Sequence, residues 1–179
     1  MIYQRIKRGI DFVLALLAMI ILLPVFLFFA VAIKAETMGD FFFKHNRIGI
    51  HKKYFIIYKF RTMRTDTPKD VPTHQLKNPE QYITRLGRFL RKTSLDELPQ
   101  LINIIKGDMS FIGPRPERPE IIAQYMEIMP EFAYRMKVKA GLAGYAQVYG
   151  KYNTTPYDKL KLDLAYIENY SVWLDIKLM

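Results

Sequence analysis

Two adjacent carboxylates, Asp96 and Glu97, follow a run of cations made by Arg85, Arg88, Arg91 and Lys92. The combination suits phosphate chemistry. A carboxylate that attacks a negative phosphoryl group needs neighbouring positive charge, usually with Mg²⁺ as well. Consecutive helical residues project about 100° apart, so the pair is expected to divide its labour: one attacks or coordinates, the other binds metal or orients. A helix start lowers a carboxylate's pKa, which fits a nucleophile or metal ligand better than a general acid. A structural account fits the same residues. Ser94-Leu95-Asp96-Glu97 reads as a capping box, its acidic residues complement a helix dipole, and the basic run reads as a solvated or lipid-facing helix surface.

Arg115 stands between Pro114 and Pro116. The prolines restrict the loop, and a guanidinium fork matches phosphate oxygens, although a turn at the surface would also accept such an arginine. Lys59 and Arg61, in Lys59-Phe60-Arg61-Thr62-Met63, end a predicted strand and suit the same role. Lys151 and Asp163 carry less on their own.

The chain has 179 residues, enough for one domain or a small domain with a membrane element. Lys and Arg number 27 against 17 Asp and Glu, a net charge of +10, which points to an anionic partner such as nucleic acid, acidic lipid or a phosphorylated substrate. The absence of cysteine excludes disulfides and thiolate metal sites. His45, His51 and His74 lie in no metal-ligand spacing, which argues against a zinc enzyme. The aromatics gather in apolar runs and do not interleave with the cationic helix, so no nucleic acid is expected as partner.

Phe12 to Ile33 contains no charge. As a helix it would extend roughly 33 Å, about the hydrocarbon thickness of a bilayer. A spanning helix, a signal peptide and a re-entrant helix are the alternatives. The segment is longer than a signal core and has Pro24 in its middle, where a kink is expected. Arg5, Lys7 and Arg8 precede it and Lys34, Lys44 and Arg47 follow. Basic flanks prefer the cytoplasmic side, and a helix bent back at Pro24 satisfies both. The reading is therefore a re-entrant membrane helix over residues 1–36 and a cytoplasmic interfacial domain over 37–179.

The fold expected of that domain is α+β. Phe41 to Lys44 and Tyr54 to Phe60 read as a β-hairpin around a turn at Gly49 to Lys53, and Thr65 to Pro79 as a loop. Helices are expected over Tyr82 to Lys92, over Ser94 to Lys106 closed by Gly107, and over Glu117 to Met129. Pro130 opens a short fourth. Gly141 and Gly144 punctuate a turn, and Thr155-Pro156 starts a last helix reaching about Tyr170. Several of these helices are amphipathic and are expected at the membrane interface. The apolar faces of the third and last are available to a homodimer partner or to the bilayer.

In order, the motifs are Lys7-Arg8 with Asp11; Lys59 to Met63; Thr93 to Leu101; Gly107-Asp108-Met109-Ser110-Phe111-Ile112-Gly113-Pro114-Arg115-Pro116; Gly141-Leu142-Ala143-Gly144-Tyr145-Ala146-Gln147-Val148; and Asp163. This string resembles the bacterial sugar transferase family, the monotopic phosphoglycosyl transferases, along nearly the whole chain. The resemblance implies a UDP-sugar substrate, Mg²⁺ and undecaprenyl phosphate as acceptor. It implies attack by Asp96 on the sugar-bearing phosphate with release of UMP, and metal binding and assistance by Glu97, so that both carboxylates are metal ligands. Lys59, Arg61, Arg88, Arg91, Arg115, Gln147, Lys151 and Asp163 are the candidate contacts to phosphate and nucleotide. It also implies a re-entrant helix, although Leu23-Pro24 replaces the family's Ser-Pro pair, and a chain that continues past Asp175 with a basic, apolar segment. The competing account is a non-enzymatic basic module that anchors lipid or protein at the membrane. It explains the charge and the apolar segment but not carboxylates beside cations.

Overall fold

The computed structural model describes residues 2–68, 78–151 and 154–179. The expected loop from Thr65 to Pro79 lies largely outside the described residues.

The apolar run and its flanks form one helix, α1 (Ile2–Glu36), 35 residues long. The backbone stays helical across Pro24, although the proline supplies no N–H to the carbonyl one turn earlier. Leu17, Ile20, Ile21, Leu23, Leu27, Phe28 and Val31 are exposed, and the helix is long and apolar enough to cross a membrane. The expected hairpin is present as β1 (Phe42–Ile48) and β2 (Tyr54–Phe60), joined by a 3-10 turn at Ile50–Lys52. Gly49 N–H donates to the Lys53 carbonyl at 2.8 Å to close it.

Packing groups the chain into two compact units. The first comprises Met1–Leu17, His45–Ile57 and Gln100–Met179; the second comprises Ala18–Lys44 and Tyr58–Pro99. The expected division at residue 36 concerns membrane topology, which this grouping does not address.

The second unit is small and aromatic. Phe60 sits among Phe26, Phe29 and Phe42, with ring centroids 5.3, 5.8 and 5.9 Å away. Such pairs contribute about 1 kcal/mol each beyond their area burial. Helix α2 (Arg85–Lys92) starts where Thr84 Oγ1 accepts from Gly87 N–H at 2.9 Å. The carboxylate of Glu36 adds a further cap, accepting from Arg85 N–H at 2.7 Å, the sign that a helix N-terminus favours. Thr84 N–H donates to the Thr62 carbonyl at 3.1 Å, and Arg64 N–H to the Tyr82 carbonyl at 2.9 Å. A short antiparallel contact thus seats α2 on the strand that carries Lys59.

The first unit contains α3 (Gln100–Lys106), β3 (Met109–Ile112), α4 (Pro119–Ile128), a 3-10 helix at Pro130–Lys137, β4 (Ala140–Ala143), α5 (Tyr145–Tyr149), α6 (Pro156–Asn169) and α7 (Val172–Leu178). Strands β3 and β4 pair in parallel, Ser110 opposite Gly141. One core gathers Ile122, Phe132, Met136 and Leu160; another gathers Ile112, Tyr166 and Leu178. The N-terminal end of α1 is tied into this unit. Arg8 donates to the carbonyls of Ile104 and Ile105, both at 2.7 Å, placing a cation at the C-terminus of α3. Asp11 is buried and accepts from Phe111 N–H. Asp175 receives Lys7, Tyr3 and Tyr166. Lys7 and Arg8, expected as basic membrane flanks, are therefore bound by protein.

Three sequence expectations change. The helix expected over Ser94 to Lys106 is divided: a 3-10 turn at Leu95–Glu97 precedes α3, and Pro99 lies between. Ser94 adopts φ 56° and its hydroxyl caps nothing, so the capping box does not form. Gly141 lies in a strand, not a turn; its missing side chain leaves room for the Gly113 backbone, and its N–H donates to the Pro114 carbonyl at 3.0 Å. Helix α7 was not anticipated.

Gly87 generates a test. Helix propensity alone would favour Gly87→Ala by about 1 kcal/mol, but a Cβ there would collide with the Thr62 carbonyl. The variant is expected to be less stable, by on the order of 1–3 kcal/mol, in thermal unfolding of the detergent-solubilised protein. An unchanged or raised midpoint would contradict the packing described.

Candidate active site

Strand β2 delivers Lys59 one residue before its end, and the 3-10 turn after α2 delivers Asp96 and Glu97. The left-handed backbone at Ser94 lets the chain reverse immediately after α2, a conformation that costs a non-glycine residue some energy. Lys59 Nζ donates to Glu97 Oε1 at 2.7 Å, with the two side chains only 17% and 18% exposed. Arg91, half-buried on α2, donates from Nε to Thr62 Oγ1 at 2.9 Å.

Asp96 is the electrostatic focus. Burial pushes its carboxyl above the usual range, Glu97 adds to that, and Lys59 and Arg91 oppose it. The lowered pKa expected from a helix N-terminus is thus reversed, since a 3-10 turn replaces the helix start and desolvation dominates. Burial conversely lowers the Arg91 guanidinium, while Asp96 and then Glu80 raise it. Asp96, Glu97, Lys59 and Arg91 therefore form one charge cluster within the second unit.

The other candidates are placed differently. Arg61 donates to the Thr37 carbonyl at 2.6 Å, Thr37 Oγ1 at 2.8 Å and the Met38 carbonyl at 3.1 Å, holding the segment that leaves α1. Arg88 lies on the exposed face of α2, 3.9 Å from Glu80. Arg115, Gln147, Lys151 and Asp163 belong to the first unit. Gln147 is exposed on α5, with Nε2 3.3 Å from the Leu142 carbonyl, and Lys151 is exposed after α5. Asp163 is buried and receives Arg135 Nε at 2.6 Å. Sequence reasoning missed Arg135, whose signal was a cation among the apolar positions Phe132 and Met136. It also missed Thr62.

Asp96 and Glu97 fit Mg²⁺ through their chemistry. That ion takes oxygen ligands and binds through one or two carboxylates plus substrate phosphates. Among the described residues no group of three or more His, Cys, Asp or Glu is placed to hold a metal.

Residues 2–179 match the bacterial sugar transferase family, and the chain belongs to it. A UDP-N-acetylgalactosamine-undecaprenyl-phosphate N-acetylgalactosaminephosphotransferase of Aeromonas hydrophila is 40% identical over 98% of this chain and 42% of its own length. A UDP-glucose:undecaprenyl-phosphate glucose-1-phosphate transferase of Escherichia coli (strain K12) is 38% identical over 98% of this chain and 39% of its own length. An uncharacterised sugar transferase of Bacillus subtilis, EpsL, is 37% identical over 97% of this chain and 83% of its own length. The chain thus spans about two-fifths of the first two relatives.

The Lys59–Glu97 contact generates a second test. Lys59→Met removes the cation that pairs with Glu97 and is expected to lower stability by about 2 kcal/mol. Adding Glu97→Gln should recover most of that loss in chemical denaturation. Purely additive effects would show that the two residues do not interact.

Proposed function

We propose that the chain is the catalytic part of a polyprenyl-phosphate sugar-1-phosphate transferase, moving a sugar phosphate from a UDP-sugar to undecaprenyl phosphate. The observation that carries this reading is a half-buried carboxylate pair held by Lys59 and Arg91, in a chain whose relatives are named for that reaction.

A carboxylate oxygen of Asp96 attacks the phosphorus that bears the sugar, and the P–O bond to the nucleotide breaks, so UMP leaves with that electron pair. An oxygen of undecaprenyl phosphate then attacks the same phosphorus and displaces Asp96 as carboxylate, forming undecaprenyl-diphospho-sugar. Burial strips water from Asp96 and so favours its reaction over hydration. Lys59 and Arg91 offset the repulsion between the carboxylate and the phosphate. Glu97, oriented by Lys59, assists the second displacement. Arg115 grips phosphate oxygens of the nucleotide sugar. Mg²⁺, when bound at Asp96 and Glu97, supplies charge neutralisation on the diphosphate.

The same reading puts α1 in the membrane as a re-entrant helix with the catalytic residues on the cytoplasmic face. Support comes from both its ends. Tyr3, Lys7, Arg8 and Asp11 bond to residues after 100, while Phe26 and Phe29 pack on Phe60. Cations flank the apolar run at both ends, Arg5 before it and Lys34 after it, and basic flanks prefer the cytoplasmic side. Amphipathic helices at the interface belong to the same reading. The product would serve as a first membrane-bound intermediate of glycan assembly.

Two measurements test this. UMP release is followed with UDP-glucose and UDP-N-acetylgalactosamine, undecaprenyl phosphate and Mg²⁺. Wild type is expected to release UMP from at least one sugar. Asp96→Asn should lower the rate at least 10³-fold, the scale of losing a nucleophile, and chelation should abolish it. Full activity in Asp96→Asn would exclude the nucleophile assignment. Since the chain has no cysteine, single cysteines at Gln4 and Glu36 report topology. Labelling of both from the cytoplasmic side only is expected, and opposite-side labelling would establish a spanning helix.

A further inference from the structure

The segment from Gly113 to Glu117 is held with unusual completeness. Gly113 N–H donates to the Ala143 carbonyl at 2.9 Å, so the parallel β3–β4 pairing runs on past Ile112. Each of the next carbonyls is then claimed by a different donor. Gly141 N–H reaches the Pro114 carbonyl at 3.0 Å, Arg135 Nη2 the Arg115 carbonyl at 3.0 Å, Arg47 Nη1 the Pro116 carbonyl at 3.4 Å, and Ile48 N–H the Glu117 carbonyl at 3.3 Å. Lys159 also pairs with the Glu117 carboxylate. The two prolines fix their own φ and restrict the residues before them. Arg115 is therefore the one residue of this loop whose long side chain stands on a backbone clamped on both sides.

Of these donors, the one on Arg115 itself is a buried ion pair. The Arg135 and Asp163 side chains are 3% and 1% exposed, Nε donates to Oδ2 at 2.6 Å, and the guanidinium lies 4.6 Å from the Phe132 ring centroid. A buried ion pair is no more stabilising than well-packed apolar residues of similar volume, and often less. Stability alone therefore gives no reason to keep one in the core of Phe132, Met136 and Leu160. A guanidinium does offer what no apolar side chain can: a second N–H, aimed here at the Arg115 carbonyl. A lysine at 135 could not present both donors in a rigid fork.

We propose that Arg135 and Asp163 are positioning residues: Asp163 orients the Arg135 guanidinium, which fixes the Arg115 backbone so that its side chain meets the nucleotide-sugar diphosphate pre-organised. This rests on the phosphate-binding role of Arg115 given above. It reassigns Asp163 from a substrate contact to a support acting through two residues. Pre-organisation of this kind appears in substrate affinity, because ordering the loop no longer costs binding energy.

The test compares Asp163→Asn, Arg135→Lys, the apolar double variant Arg135→Met/Asp163→Leu, and Arg115→Ala in the detergent-solubilised protein. Read-outs are the thermal midpoint, hydrogen–deuterium exchange of the peptide covering 109–118, and KM and kcat for the UDP-sugar that wild type turns over. The double variant is expected to unfold within a few degrees of wild type, yet to exchange faster in that peptide and to show a KM raised about tenfold with kcat within about threefold. Arg135→Lys should show the same signature, and Asp163→Asn a milder one, which keeps the test decisive if the double variant does not fold. Wild-type exchange and KM in folded variants would overturn the proposal. If exchange rises in the pair variants while Arg115→Ala leaves KM unchanged, the phosphate role of Arg115 fails and the clamp stands.

Discussion

Drawing a carboxylate out of water raises the free energy of its charged form, and a second carboxylate beside it raises it again. Asp96 and Glu97 face both penalties, and most of the second unit is arranged to offset them. Lys59 answers Glu97 directly, and Arg91 adds positive charge from α2. The aromatic packing around Phe60 fixes the strand bearing Lys59, and the Thr62–Thr84 hydrogen bond fixes the helix bearing Arg91. The compensation is incomplete, since the Asp96 carboxyl stays above its ordinary range. Unmet negative charge of this kind favours further cations beside Asp96.

The two units use buried charge differently. In the second, Lys59, Arg91, Asp96 and Glu97 sit half-buried in one cluster. In the first, charges are nearly sealed and act as fasteners. Asp175 gathers Lys7, Tyr3 and Tyr166, Arg8 closes the end of α3, and Arg135 with Asp163 braces the Pro114–Pro116 loop. Two of these three fasteners bind the N-terminal turns of α1, so this apolar helix is continuous with the folded protein and is not a tether attached to it.

Much of this was legible in the sequence where a single period dominates. The uncharged run gave α1, aromatic and β-branched runs around the Gly49–Lys53 turn gave the hairpin, and Thr155-Pro156 gave the start of α6. Strands β3 and β4 were not legible. Each has four residues, both faces of β3 are largely covered, and a buried parallel strand shows no alternation. The capping-box pattern at Ser94 was real as a pattern, but tertiary packing turned Ser94 left-handed and made a 3-10 turn of it. Among the candidate site residues, the carboxylates, Lys59 and Arg91 stood out by type and spacing, and the structure gathers them in one cluster. Asp163 was read as a substrate contact, and its ion pair was not legible, because Arg135 lies 28 positions away on an otherwise apolar face.

The central claim is that Asp96 becomes covalently bonded to the sugar phosphate. Peptide mass spectrometry of wild-type protein, incubated with the UDP-sugar it turns over and Mg²⁺ but no acceptor lipid and quenched rapidly in acid, addresses this most directly. The account predicts a sugar-phosphate adduct on the peptide containing Asp96, localised to that residue and discharged on adding undecaprenyl phosphate. Turnover with acceptor but no adduct on any peptide, or an adduct on Glu97 or elsewhere, would contradict it.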